Sequence, residues 1–196
     1  PPRRTGKLVV APDPGQAEGL AAIQARARAN GVADVQELDG PAARALEPAL
    51  AAEAALLSPS TGIVDSHQLM LSLLGAAEDH GAMLALAAPV TGGTPDPAGG
   101  LVLTVGGAAP MRLRARRVVI AAGLASQAVA RSLDGLDPAG VPPLHLAKGH
   151  YFALAGRAPF NHLIYPVPEP GGLGIHLTLD MGRQARFGPD VEWITA

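Results

Sequence analysis

Segments with helical spacing alternate with short apolar runs as far as residue 133, whereas from Pro142 onward only strand-like runs between Pro-Gly turns remain. A chain with that change of rhythm is mixed α/β: its first part supports strand and helix units on a parallel sheet, its last part an antiparallel sheet. Gly6-Lys7-Leu8-Val9-Val10-Ala11 reads as a strand. Asp13 and Pro14 then offer helix-start chemistry, and Leu20, Ile23 and Ala27 form the stripe of a helix of about four turns. Asn30-Gly31 supplies its left-handed stop. A strand over 35–38, a brief helix over 41–46 capped by Asp39 and halted by Pro48, and a short apolar run over 54–58 follow. Asp65 or Ser66 caps a further helix with the stripe Leu69, Leu73, Leu74 and Ala77, which His80-Gly81 ends.

Two later runs, 83–88 and 118–123, are nearly continuously apolar, which predicts strands covered on both faces of a parallel sheet. Between them, Gly99-Gly100 and Gly106-Gly107 punctuate short alternating strands, an antiparallel excursion. A helix is predicted over 126–133, and strands over 144–154, 162–167, 173–179 and 185–187, with hairpin turns at 166–172 and 180–183.

Composition narrows the function classes. With 48% hydrophobic residues, 196 residues can bury a sizeable core. Fifteen Lys and Arg against 17 Asp and Glu create no global field for nucleic acid or an anionic membrane, so a small-molecule partner is expected. The basic strip Arg112, Arg114, Arg116 and Arg117 has no interleaved aromatics and reads as a guarded edge strand. Without cysteine there is no disulfide, thiol nucleophile or cysteine-ligated metal. The six histidines show no metal-binding spacing such as His-Glu-x-x-His, so no metal site is expected. No apolar run approaches the roughly 18 residues that span a bilayer. A cytoplasmic protein is the default expectation, with the oligomeric state open. All six aromatic residues, Tyr151, Phe152, Phe160, Tyr165, Phe187 and Trp193, fall in the last quarter, which points to a distinct C-terminal layer.

Three segments, taken in order, resemble a known family: Ser58-Pro59-Ser60-Thr61-Gly62-Ile63-Val64-Asp65; Val118-Val119-Ile120-Ala121-Ala122-Gly123-Leu124; and Lys148-Gly149-His150-Tyr151-Phe152 with Ile164-Tyr165-Pro166-Val167-Pro168 through Gly174-Ile175-His176-Leu177-Thr178. The set resembles the FAD-dependent oxidoreductases that include D-amino-acid oxidase and glycine oxidase, and within them the L-2-hydroxyglutarate dehydrogenase group. The resemblance implies a Rossmann-like FAD domain with an antiparallel insert, built from 65–138. It also implies a mixed-sheet substrate domain built from 1–64 and 139–196. It implies FAD as cofactor and a small 2-hydroxy acid as substrate. An amino-acid or secondary-amine oxidase, and a noncatalytic scaffold, are the alternatives. No Gly-x-Gly-x-x-Gly follows an early strand, and the family's C-terminal flavin-closing segment is not found. The chain therefore reads as the central portion of such an enzyme, expected to bind FAD poorly and to be inactive by itself.

Oxidising a 2-hydroxy acid requires hydride removal from carbon, proton removal from the hydroxyl and a grip on the carboxylate. A neutral histidine suits the proton transfer near neutral pH. His176 is the candidate base. His176 and Thr178 alternate onto one strand face, which the resemblance turns toward the flavin; a structural histidine is the competing reading. Tyr165 and Tyr151 are candidate hydrogen-bond donors to substrate, Lys148 a candidate carboxylate contact and His67 a further candidate, each against a packing or surface reading. The resemblance implies backbone roles toward FAD for Val90, Ala121, Ala122 and Gly123, where small residues permit close approach.

Overall fold

Strand β2 shows why the chain closes on itself: four of its five residues, Leu8 to Ala11, are buried, so it must be covered on both faces. The computed structural model describes residues 2–168 and 174–195. In chain order the elements are β1 (Arg3–Arg4), β2 (Lys7–Ala11), α1 (Ala17–Ala29), β3 (Gln36–Asp39), α2 (Gly40–Leu46), β4 (Ala54–Ser58), β5 (Gly62–Ile63) and α3 (Ser66–Asp79). They continue with β6 (Val90–Pro95), β7 (Leu101–Val105), β8 (Met111–Ala115), α4 (Ser126–Arg131), β9 (Leu146–Ala153), β10 (Leu163–Pro166), β11 (His176–Leu179) and β12 (Ala185–Ile194).

The chain divides into two units, one formed by Pro1–Leu73 with Ala147–Ile194 and the other by Leu74–Leu146. The sequence reading placed these divisions at 64/65 and 138/139; the structure puts them inside α3 and at the start of β9.

The first unit is built on a seven-stranded mixed sheet in the order β3-β4-β2-β10-β11-β12-β9. Its strands pair antiparallel wherever a register is defined, except β2 with β10, where Val9 lies beside Tyr165 in a parallel register. A parallel pair needs a long crossover, and here the crossover is everything between residues 11 and 163. One face of β2 packs Val9, Ala11, Leu20 and Leu56 together beneath α1. The other packs Leu8, Val10, Ala43, Leu50, Ala52 and Ala55 beneath α2. The helix signals act as ordinary capping chemistry. Asp39 Oδ1 accepts from the Ala42 N–H at 2.8 Å, and Asp65 Oδ1 from the Gln68 N–H at 3.1 Å. Asp13 differs from expectation: its side chain makes no cap hydrogen bond, and a short 3-10 turn at Pro14–Gln16 precedes α1 instead.

The start of β10 is braced by a carboxylate. Glu47, just beyond α2, is fully buried. Its Oε1 accepts from the backbone N–H groups of Asn161 at 2.8 Å and His162 at 2.9 Å, and lies 2.5 Å from His162 Nδ1. Charge-assisted bonds to a carboxylate removed from water are among the stronger ones a fold makes.

The second unit contains the antiparallel sheet β6-β7-β8, as the glycine punctuation predicts. Gly100 is needed at its turn: φ is +88°, and a Cβ there would lie 2.3 Å from the Ala115 carbonyl oxygen. Leu103, Val105, Ala130 and Leu133 are its buried apolar residues.

Two expected strands do not form. Residues 83–88 and 118–122 carry no ladder, and Met83 is 94% and Val119 89% exposed. A hydrophobic run becomes a strand only beside another strand that accepts and donates its backbone bonds, and no such neighbour stands beside them among the described residues. The parallel sheet expected across 65–138 is thus reduced to one isolated parallel bridge, Gly93 with Leu133. The stripe Leu69, Leu73, Leu74 and Ala77 likewise finds no cover among the described residues, and α3 has no buried residue. The strand expected over 173–179 spans His176–Leu179, with Leu173 outside the described residues, as is 169–172 of the expected turn at 166–172. The short piece at 185–187 continues to Ile194.

The carboxylate brace generates a stability prediction. Glu47→Ala leaves up to three donors without their acceptor, at about 1–3 kcal/mol for each buried unsatisfied group, whereas Glu47→Gln keeps an oxygen acceptor and costs less. Urea midpoints of the two variants measure this, and an unshifted midpoint for Glu47→Ala would remove the brace from the account.

Candidate functional site

The sheet of the first unit gathers side chains from four strands into one row. Ile164 pairs with Leu177 across β10 and β11, so the neighbouring Tyr165 and His176 stand side by side. Their rings stack with centroids 4.2 Å apart and planes 12° from parallel. Tyr151, from β9, meets the imidazole edge-on at 6.2 Å and 68°. Lys7, two residues before Val9 and therefore on the strand face of Val9 and Tyr165, places Nζ 5.3 Å from the Tyr165 ring centroid.

Gly188 makes the row possible. It pairs with His176 across β11 and β12. A Cβ at Gly188 would lie 2.5 Å from the His150 carbonyl oxygen and 2.7 Å from the Tyr151 ring, at φ +150°. Only a residue without a side chain lets Tyr151 lean across β12 toward His176.

His176 is 6% exposed. Its Nδ1 lies 3.3 Å from the Gly174 carbonyl oxygen. A carbonyl only accepts, so this contact requires a hydrogen on Nδ1, and neutral imidazole then carries its lone pair on Nε2. Burial raises the Tyr165 phenol above its ordinary 10.0, and the neighbouring Tyr151 adds to the rise. The stacked phenol thus stays protonated and able to donate.

The other candidates are placed as follows. Thr178 is half-buried two residues beyond His176, on the same strand face. Lys148 is exposed on β9, an odd number of residues from Tyr151, so strand alternation turns it to the other side. His67 is exposed in the first turn of α3. In the second unit, Val90, Ala121 and Ala122 line an apolar pocket of about 410 Å³ together with Leu103, Val119 and Leu133. Gly123 does not line it; at φ +57° it opens the turn before α4, and a Cβ there would meet nothing within 4 Å. Among the described residues no group of three His, Asp or Glu is disposed to hold a metal, and no helix is long and apolar enough to cross a membrane.

Two participants escaped sequence reasoning. Lys7 is a cation on a strand face otherwise occupied by Val9 and Ala11, and that break in pattern was the available signal. Glu47 interrupts an apolar stretch at Leu46-Glu47-Pro48. Neither residue's partner could be read, because the partners lie more than 110 residues away in sequence.

Residues 1–195 match a family described as FAD dependent oxidoreductase, DAO. The chain belongs to the FAD-dependent oxidoreductase family. It is 36% identical over 99% of its length to the mitochondrial L-2-hydroxyglutarate dehydrogenase of Arabidopsis thaliana, covering 46% of that protein. It is 33% identical over 97% of its length to the mitochondrial L-2-hydroxyglutarate dehydrogenase of Caenorhabditis elegans, covering 44% of that protein. The chain thus spans a little under half the length of the curated relatives it matches. Among solved structures, the dithionite-reduced, FAD-bound L-α-glycerophosphate oxidase of Mycoplasma pneumoniae superposes with a TM-score of 0.85 at 19% identity, over all of this chain and 52% of that one. At that identity the likeness is one of fold, and it bears out the mixed α/β class.

In this family member the Tyr165 environment gives a pH prediction. Burial favours the neutral phenol in the folded state, so the associated stability is whole below the ordinary value of 10.0 and is lost as pH climbs through the raised value. Titrating phenolate absorbance of the protein against Tyr165→Phe should yield a difference curve centred above 10; a midpoint at or below it would contradict the effect of partial burial on the phenol.

Proposed function

We propose that the protein containing this chain oxidises a small 2-hydroxy acid of the L-2-hydroxyglutarate type to the 2-oxo acid, with FAD as cofactor. The observation that carries the chemistry is the buried imidazole of His176, its Nδ1 directed at the Gly174 carbonyl and its ring stacked on a phenol that keeps its proton. The identity to proteins named L-2-hydroxyglutarate dehydrogenase supports the choice of substrate.

The residues of the second unit fit part of the cofactor. Val90, Ala121 and Ala122 offer an apolar wall without bulk, Gly123 leaves open space, and the backbone at 118–122 is not committed to a ladder. These residues would hold FAD by shape and main-chain contact. The diphosphate grip expected of a glycine-rich loop is not among them. When bound, FAD supplies the two-electron acceptor for the substrate's hydride.

The chain's own groups do the acid–base and binding work. His176 Nε2 takes the proton from the substrate hydroxyl as the carbon loses hydride, so the alcohol becomes a carbonyl and the imidazole an imidazolium. Tyr165 and Tyr151 donate hydrogen bonds that orient the substrate oxygen, and Thr178 lies on the same face to add another. The ring stack fixes the imidazole's tilt, which proton transfer at hydrogen-bond distance requires.

In the full-length flavoprotein, His176→Ala should slow flavin reduction by L-2-hydroxyglutarate by about 10²- to 10⁴-fold in single turnover. An unchanged rate would remove His176 as the base. Reduction by glycine, sarcosine or proline, with none by the hydroxy acid, would replace the proposed substrate by an amine.

A further inference from the structure

Lys7 stands at the end of the aromatic row, and none of the roles above uses it. We propose that Lys7 is a specificity residue that binds the side-chain carboxylate of a dicarboxylic substrate; this rests on the 2-hydroxy acid reading of the same site. Three observations support it. Lys7 is half-buried at the start of β2, and no ion pair to it is found among the described residues. Its ammonium lies over the Tyr165 ring, held to one side of β10 while His176 stacks from the other side, because β2 and β11 flank β10. Lys148, the candidate cation of the sequence reading, lies on a strand position that alternation turns away from Tyr151.

The geometry selects which carboxylate. Nζ is 5.3 Å from the Tyr165 ring centroid and that ring is 4.2 Å from the imidazole, so ammonium and imidazole centre are no more than about 9.5 Å apart. A hydrogen bond of about 2.8 Å at each end leaves at most roughly 4 Å along that line, and the Tyr165 ring occupies it, so a substrate that joins the two ends must pass round the ring edge by a longer path. A carboxylate on the hydroxyl-bearing carbon lies too close to the hydroxyl to cover that path. One carried two methylene groups further along spans it with a modest bend. Lysine suits the task as a compact, mobile point charge able to meet the end of a flexible chain. The Tyr165 face beneath it keeps the ammonium within the row when no anion is bound.

The competing reading makes Lys7 a packing residue whose stem and charge only cover Tyr165. The full-length flavoprotein separates the two through Lys7→Met, which keeps the stem and loses the charge, and Lys7→Arg, which keeps the charge. Glutarate, which has both carboxylates but no hydroxyl to oxidise, and butyrate, which has one carboxylate, are the probes, with binding measured by calorimetry. Lys7→Met should weaken glutarate about 10- to 100-fold, the scale of one lost charged hydrogen bond. Butyrate binding should change less than about threefold, and Lys7→Arg should recover most of the glutarate affinity. Equal weakening of both probes, or no weakening of either, would overturn the proposal. Because neither probe is oxidised, these outcomes do not depend on turnover. Failure of L-2-hydroxyglutarate to reduce the wild-type flavin would count against the proposed reaction and leave the carboxylate result to be read by itself.

Discussion

The parallel pairing of β2 with β10 is the constraint on which the first unit depends. It brings residues 7–11 beside residues 163–166 and so converts two distant stretches into one sheet. Closing so long a loop costs conformational entropy that grows slowly with length. The return comes from a strand buried on both faces, with Leu8 and Ala11 fully removed from water. Glu47 secures the same junction from below, since its carboxylate collects donors from the two residues that precede β10. Polar and apolar terms therefore act on one place in the fold.

The site inherits its geometry from that junction. Tyr165 lies on β10, Lys7 on β2 and His176 on β11, so the spacing between the cation, phenol and imidazole is the spacing of neighbouring strands. Tyr151 comes from β9, a strand further away, and reaches the row because Gly188 leaves the intervening position empty. A row built on strands holds its members more firmly than one built on loops. For the proposed reaction firm placement matters, because the proton leaves the hydroxyl oxygen as hydride leaves the adjoining carbon.

Much of the local structure was legible in the residues. Asp39 and Asp65 cap the helices they were expected to cap, and Gly31, Gly81, Gly99, Gly100 and Gly107 adopt positive φ at the expected turns. The antiparallel excursion at 90–115 follows directly from alternation between glycine pairs. These features depend on interactions within a few residues, which a sequence displays. The strands expected at 83–88 and 118–122 show the limit: their apolar character was read correctly, yet a strand also requires a neighbour. Asp13 shows a smaller version, where a 3-10 turn took the place of the side-chain cap.

The sequence by itself determined the mixed α/β class, most of the caps and turns, and the likeness to FAD-dependent oxidoreductases, and it offered His176 and its tyrosines as candidates. Only the tertiary structure decided that Tyr165 stacks on His176, that Lys7 joins the row in place of Lys148, and that Glu47 braces the strand beneath. The physical reason is the range of each interaction. Capping and turn chemistry act over three or four residues, whereas the row and its brace form between strands whose adjacency is set by burial and hydrogen-bond register, which join positions far apart in the chain.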